Sequence, residues 1–147
     1  MVHFFEDFDE KQGWFTSDSR TVSELDLSTF AALTGDFTAL HTNEEYARQT
    51  VFGQRIAHGA LVFSLSIGLT TQMRLIDDTL LAFHGVNALR FVRPVFIGDT
   101  IQVAKRVIER KEIDPSRGVI VFETKVTNQH SDTVLMYHDK LLLKRRS

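Results

Sequence analysis

Residues 59–74 form a stretch in which apolar and small side chains continue around every side of a predicted helix. Its apolar members are Ala60, Leu61, Val62, Phe63, Leu65, Ile67, Leu69 and Met73. A helix without a polar face is usually enclosed by other structure. Serines, threonines and a glycine interrupt the stretch, which is too short and too polar to cross a membrane. The pattern therefore predicts a long central helix that packs against a sheet.

Apolar and polar residues alternate in the second half of the chain, as they do in half-buried strands. The alternation predicts strands over four ranges: 83–96, 100–112, 118–128 and 133–144. Turn-forming residues such as Gly98 and Pro115 separate them. Hairpin-length connections predict an antiparallel meander, and helices that precede the strands indicate an α+β fold. A meander of this length leaves an edge strand, which dimerisation commonly covers.

The first third of the chain predicts one strand and two helices. Residues 14–22 suit a strand, after an acidic segment 1–13 that we expect to be loosely held. Ser23 is a good N-cap for a helix over 24–33, which Gly35 ends. The helix is expected to bury one stripe: Leu25, Phe30 and Leu33. A short helix over 44–49 follows, with Asn43 as its cap.

Composition narrows the class of protein. The chain has 147 residues, of which 43% are apolar and 24% charged, so it is expected to form one globular domain over 1–147. Its net charge of −2 gives no indication of nucleic-acid binding. It contains no cysteine, and its first residues lack the features of a signal peptide. We therefore expect a cytoplasmic protein without disulfides, bound neither to a membrane nor to nucleic acid.

An acid and a histidine, Asp36 and His41, lie five positions apart in a turn-rich segment, and Gly59 begins the central helix. An acid, an imidazole and an amide at a helix start can move a proton beside a polarised carbonyl. Each also has an ordinary structural explanation: a turn-capping carboxylate, a loop histidine and a glycine chosen for close packing. The scattered histidines and the absence of cysteine predict no metal site.

Three segments together resemble the MaoC-like, (R)-specific enoyl-CoA hydratase family. They are residues 30–41 (FAALTGDFTALH), 56–62 (IAHGALV) and 90–100 (RFVRPVFIGDT). The resemblance implies a hot-dog fold, in which a curved antiparallel sheet wraps a long helix. It also implies a homodimer with joined sheets, or a higher homo-oligomer of such dimers, and an acyl-thioester substrate. No cofactor is expected beyond the coenzyme A or acyl carrier protein that forms part of the substrate.

The same resemblance assigns roles to particular residues. Asp36 and His41 would hold one water and act together as base and acid, while the Gly59 amide would polarise the thioester carbonyl. Further contacts to the substrate are expected from Thr38, His58 and Arg93. His58 is expected mainly to support the loop before the helix. The tunnel for the acyl chain is expected to involve aromatic residues such as Phe63, Phe83 and Phe91.

One position pair departs from the family pattern. The family motif carries Asn-Pro where this chain has Thr38 and Ala39. Thr38 replaces the amide by a hydroxyl, whereas Ala39 does not stiffen the loop as proline does. The leading prediction is hydration of 2-enoyl thioesters or the reverse dehydration. Two alternatives are a non-catalytic subunit that binds acyl thioesters and a hot-dog thioesterase, although the predicted central helix lacks the acid expected of the latter.

Overall fold

The computed structural model describes all residues, 1–147, and contains five strands and four α-helices. A short 3-10 helix, Phe5–Asp7, comes first. The strands are β1 (Phe15–Thr21), β2 (Leu80–Phe91), β3 (Thr100–Asp114), β4 (Arg117–Thr127) and β5 (Thr133–Lys144). The helices are α1 (Glu24–Thr34), α2 (Ala39–Thr42), α3 (Glu44–Arg48) and α4 (Gly59–Gln72). None of the helices combines the length and apolar composition that a membrane crossing requires.

All five strands form one antiparallel sheet in the order β1-β3-β4-β5-β2. The expected meander holds only for β3, β4 and β5. The prediction that β2 continues it was wrong, because β2 pairs with β5 at the far side of the sheet. Alternation identifies a strand, but it carries no information about which neighbour that strand selects. β2 consequently forms an edge of the sheet, with one side unpaired.

Helix α1 begins and ends where its capping residues predict. The Ser23 hydroxyl accepts from the Asp26 amide, and the Asp26 carboxylate accepts from the Ser23 amide in return. Gly35 adopts a left-handed φ of 80° and ends the helix. The predicted buried stripe was wrong for Leu25 and Leu33, which are exposed, whereas Phe30 is half-buried and packs against the core. The fully buried residues of the helix are Leu27 and Ala31.

Helix α4 packs against the sheet with one side, where Leu61, Val62 and Leu69 join the main apolar core. Its other side is not enclosed in the single chain, contrary to expectation. The residues that reach solvent there are the small Ala60, Ser64 and Gly68, with Thr71 and Gln72 at the end of the helix. The central helix is therefore apolar or small along most of its length because it is buried on one side and carries mainly small side chains on the other.

The first residues of the chain are anchored, so the prediction that 1–13 are loosely held was wrong. Phe5 and Phe8 are each 1% exposed and belong to a second apolar cluster with strands β3, β4 and β5. The Phe5 ring lies so close to Gly118 that a Cβ there would be 2.5 Å from it. Charged side chains at the end of the chain also bind this segment, as Arg145 does with Glu6.

Two backbone links fix the start of α4 beside the end of β2. The Ala57 amide donates to the Val95 carbonyl at 2.7 Å, and Ile56 forms an isolated bridge with Phe96. The Val92 amide in turn donates to the Val134 carbonyl on β5. These links hold the first turn of α4 against the segment that leaves β2, and the candidate site lies between them.

Candidate active site

Asp36 lies in the short loop between α1 and α2, directly after Gly35. Its Oδ1 accepts hydrogen bonds from the Thr38 hydroxyl at 2.6 Å and from the Thr38 amide at 3.2 Å. The hydroxyl bond is the largest cause that lowers the pKa of Asp36, followed by the amide bond. This exposed carboxyl group is consequently held in its ionised, proton-accepting form.

His41 lies on α2 and is oriented by the loop that precedes α4. Its Nδ1 bonds to the Ile56 carbonyl at 2.7 Å. A carbonyl oxygen only accepts, so Nδ1 is the donor and Nε2 of the neutral ring keeps its lone pair. His41 also lines the main cavity of the chain. The fold therefore leaves one ring nitrogen of His41 able to accept a proton.

His58 lies behind these two residues and is almost fully buried, with 2% exposure. Its ring stacks on the His41 ring at a centroid distance of 3.9 Å and an interplanar angle of 27°. Its Nε2 donates to the Asp36 carbonyl at 3.1 Å. The structure thus places His58 in contact with both predicted catalytic residues but not in the lining of the cavity.

Asp36, His41 and His58 are close enough to raise the possibility of a metal site, since their ligand-capable atoms lie within 4.8 Å of one another. A histidine nitrogen binds zinc in the plane of its ring, at about 2.0–2.1 Å. Two rings that stack nearly parallel at 3.9 Å cannot both direct an in-plane lone pair at one ion over that distance. The arrangement suits proton transfer better than shared metal binding.

A cavity of about 560 Å³ opens between the first turn of α4 and the segment after β2. Most of its lining is apolar, and Arg93 is the one permanently charged residue in it. The lining comprises His41, Phe52, Ile56, Ala57, Gly59, Ala60, Val62, Phe91, Val92, Arg93, Pro94, Val95 and Val134. Asp36 lies beside this lining, and its carboxylate is within 4.8 Å of a ring nitrogen of His41. Such a cavity suits an apolar chain that carries a polar group at the histidine end.

Gly59 is the first residue of α4, and its amide makes no hydrogen bond within the chain. Unpaired amides at a helix start, together with the helix dipole, stabilise negative charge. Because Gly59 lines the cavity together with His41, a carbonyl held in the cavity has an available donor near the acid–base pair.

The remaining predicted residues occupy different positions. Thr38 contacts Asp36, and Arg93 lines both the main cavity and a polar recess beside it. Phe91 lines the cavity, whereas Phe63 packs edge-on against Tyr137 in the core and Phe83 lies exposed on β2. The structure therefore brings the predicted acid, histidine and glycine together, with Phe91 and Arg93 around the cavity they share.

Sequence reasoning missed a buried polar cluster next to the core. The Lys105 ammonium forms an ion pair with Asp139 at 2.9 Å, and both side chains are 1% exposed. Thr124 donates to the other oxygen of Asp139 at 2.7 Å. The sequence did indicate a buried charge, because Lys105 occupies an inward position of the alternation that runs through Val103 and Val107. This cluster lies outside the cavity lining.

Comparison with known proteins gives a consistent assignment. Residues 8–130 match the family model described as MaoC like domain. An (R)-specific enoyl-CoA hydratase from Rhodospirillum rubrum is 36% identical over 127 residues, which cover 86% of this chain and 83% of that protein. Another relative, protein MaoC from Klebsiella aerogenes, is much longer: the match at 36% identity covers 67% of this chain but 28% of the relative.

Solved structures agree with the fold. A protein from Archaeoglobus fulgidus, described as a monoamine oxidase regulatory protein, superposes with a TM-score of 0.92 at 37% identity and covers 99% of this chain and 97% of its own. A Mycobacterium tuberculosis protein with a double hot-dog fold gives a TM-score of 0.88 at 20% identity, covering 99% of this chain and 45% of the other. The predicted hot-dog architecture is thereby confirmed.

Proposed function

The chain belongs to the family of MaoC-like domains, and on that premise we propose that it hydrates trans-2-enoyl thioesters to (R)-3-hydroxyacyl thioesters, or catalyses the reverse dehydration. The observation that carries the proposal is the placement of His41 and Gly59 in one cavity, with the Asp36 carboxylate beside them. The acyl carrier is coenzyme A or acyl carrier protein. We further propose that the protein acts in the cytoplasm.

The proposed chemistry assigns one task to each group. Asp36 and His41 together hold a water and take one of its protons. The water oxygen bonds to C3 as the C2=C3 π bond breaks, and the proton taken from the water is delivered to C2. Negative charge that develops on the thioester oxygen is stabilised by the Gly59 amide and the α4 dipole. The ionised Asp36 and the free Nε2 of His41 both support the role of proton acceptor.

The alternatives differ in what they require of the site. A thioesterase of this fold would use an acid on the central helix, and α4 carries neither Asp nor Glu. A subunit that only binds thioesters would retain the cavity but not an oriented acid–base pair. The Thr38 hydroxyl keeps Asp36 bonded in place of the family's asparagine, which favours a catalytic site over a merely binding one.

We also propose that the protein is a homodimer in which two β2 strands pair and join the sheets. β2 has an unpaired edge, and several of its large apolar side chains are exposed: Leu80, Leu81, Phe83, Leu89 and Phe91. Unpaired edges promote strand addition. A relative with a double hot-dog fold contains in one chain what a second copy would supply here. Light scattering after gel filtration tests this, and a monomer at micromolar concentration contradicts it.

The decisive experiment follows the absorbance of the conjugated thioester when wild-type protein is mixed with crotonyl-CoA and longer enoyl-CoA homologues. The proposal expects the absorbance to decay and the product to be the (R)-3-hydroxyacyl thioester. Asp36→Asn is expected to slow the decay by about 10²–10⁴-fold, whereas Asp18→Asn, which changes an exposed carboxylate on β1, leaves it unchanged. Tight binding without turnover across the series would instead favour the non-catalytic subunit.

A further inference from the structure

We infer that His58 is a positioning residue: a buried imidazole behind the site that fixes both the ring of His41 and the loop that carries Asp36. Its consequence for catalysis rests on the proposed function. The structural part of the inference is the position of the proton on each of the two stacked rings. It can be measured even if the protein has no catalytic activity.

His58 contacts both halves of the acid–base pair from one buried position. Its ring covers the His41 ring at 3.9 Å, and its Nε2 reaches the backbone carbonyl of Asp36 at 3.1 Å. The Phe30 ring packs edge-on against it at 5.0 Å, which leaves little room for another orientation. Movement of His58 would therefore displace His41 and the Asp36 loop together.

The contacts of His58 determine where its proton lies. The Asp36 carbonyl only accepts, so Nε2 carries the hydrogen. Nδ1 is buried and has no hydrogen-bond partner. A second proton on Nδ1 would create a buried cation with an unpaired donor. It would also place that charge against His41, the ring that has to accept a proton. The contacts therefore favour the form of the His58 ring that carries its hydrogen on Nε2.

The same arrangement supplies what His41 lacks. A single bond from Nδ1 of His41 to Ile56 sets its tautomer but still permits the ring to tilt about that bond. The stacked His58 ring prevents this tilt, so Nε2 of His41 points in one fixed direction. Since misplacement of a reacting group by about 1 Å can reduce a rate by about 100-fold, the contribution of His58 is orientation rather than chemistry.

Two variants separate the contacts. His58→Gln retains an amide donor for the Asp36 carbonyl but has no ring to stack, and His58→Phe retains a flat ring but has no donor. Each is expected to lower kcat by about 100-fold with little change in KM. Leu69→Ala, which removes a buried side chain elsewhere on α4, is the control and should lower stability while keeping kcat. Normal kcat in a folded His58→Gln or His58→Phe variant would overturn the inference.

Nitrogen-15 NMR of the imidazoles gives a second test. It uses the wild-type protein, so it does not require any His58 variant to fold. When each ring carries one proton, His41 is expected to hold it on Nδ1 and His58 on Nε2. A singly protonated His58 ring with its proton on Nδ1 overturns the inference. If the protein hydrates no thioester while the tautomers are as expected, the proposed function fails and the assignment of the two rings stands.

Discussion

The ring of Phe91 lies against the α-carbon of Gly59, at the wall of the cavity that both residues line. Phe91 reaches this position because β2 is irregular just before it. The pairing of β2 with β5 shifts register between Asn87 and Arg90, and Ala88 has a left-handed φ of 52°. A bulge of this kind redirects the side chains that follow it. The absent side chain of Gly59 thus makes room for the aromatic ring of Phe91.

The contact with Phe91 makes Gly59 sensitive to substitution. A Cβ at Gly59 would lie 2.8 Å from Cζ of Phe91, so Gly59→Ala is expected to displace the ring. Because Phe91 is 54% exposed, the cost in the free energy of unfolding is expected at the low end of overpacking, about 1 kcal/mol. Adding Phe91→Leu should restore that stability, as measured by urea denaturation. Activity that remains low in the stable double variant would indicate that the Cβ itself obstructs the thioester carbonyl. A stable Gly59→Ala single variant would contradict the close contact.

The fold was predictable from the sequence where local chemistry determines it. Ser23 and Gly35 set the limits of α1, and the alternation in Ile101, Val103 and Val107 identifies β3 and its buried face. The partner of β2 and the anchoring of Phe5 were not predictable, because both depend on surfaces that exist only after the chain has folded. Distant pairings of this kind leave no periodic signal in one sequence.

The same distinction applies to the candidate site. Asp36, His41 and Gly59 belong to recognisable local segments, so the sequence alone is enough to nominate them. The stacking of His58 on His41 joins residues from α2 and the start of α4, and no spacing along the chain reveals it. The pair Lys105 and Asp139 gave a weak signal as charges at inward strand positions, but its partners only become visible in the sheet.

The acid–base assignment predicts large losses of rate without loss of structure. Asp36→Asn and His41→Ala should each lower kcat toward enoyl thioesters by about 10²–10⁴-fold, the range for a removed acid–base group. Both side chains lie at the surface or at the cavity wall, so circular dichroism and thermal midpoint should change little. If either variant retains near-normal kcat while folded, that residue is not part of the chemistry.

Thr38 is expected to set the acidic limit of activity. Its hydroxyl bond is the main cause of the lowered pKa of Asp36, and the base has to be ionised to work. Activity is therefore lost as pH falls through the pKa of Asp36. Thr38→Val removes the hydroxyl, raises that pKa and should move the acidic limb of kcat/KM to higher pH. Thr38→Ser keeps the bond and serves as the control; identical profiles for the three proteins would contradict this role.

The buried ion pair predicts a marked asymmetry in stability. Asp139→Asn leaves the Lys105 ammonium in the interior without its counter-charge, which should cost about 3–5 kcal/mol. Replacing both residues, as Lys105→Met with Asp139→Val, should recover most of that loss because no charge stays unpaired. Urea denaturation measures both. If the double variant is as unstable as the single one, the ion pair stabilises the fold by more than cancelling its own two charges.

Arg93 offers a way to identify the acyl carrier. It is exposed, has no salt bridge within the chain and lies where the cavity meets the polar recess. An arginine in this place suits a phosphate of the carrier. Arg93→Ala is therefore expected to raise the KM for enoyl-CoA while kcat stays constant. The KM for the corresponding N-acetylcysteamine thioester, which has no phosphate, should stay unchanged. Arg48→Ala, on the exposed face of α3, is the control for a general loss of positive charge. Equal KM values for wild type and Arg93→Ala with enoyl-CoA would remove Arg93 from carrier recognition.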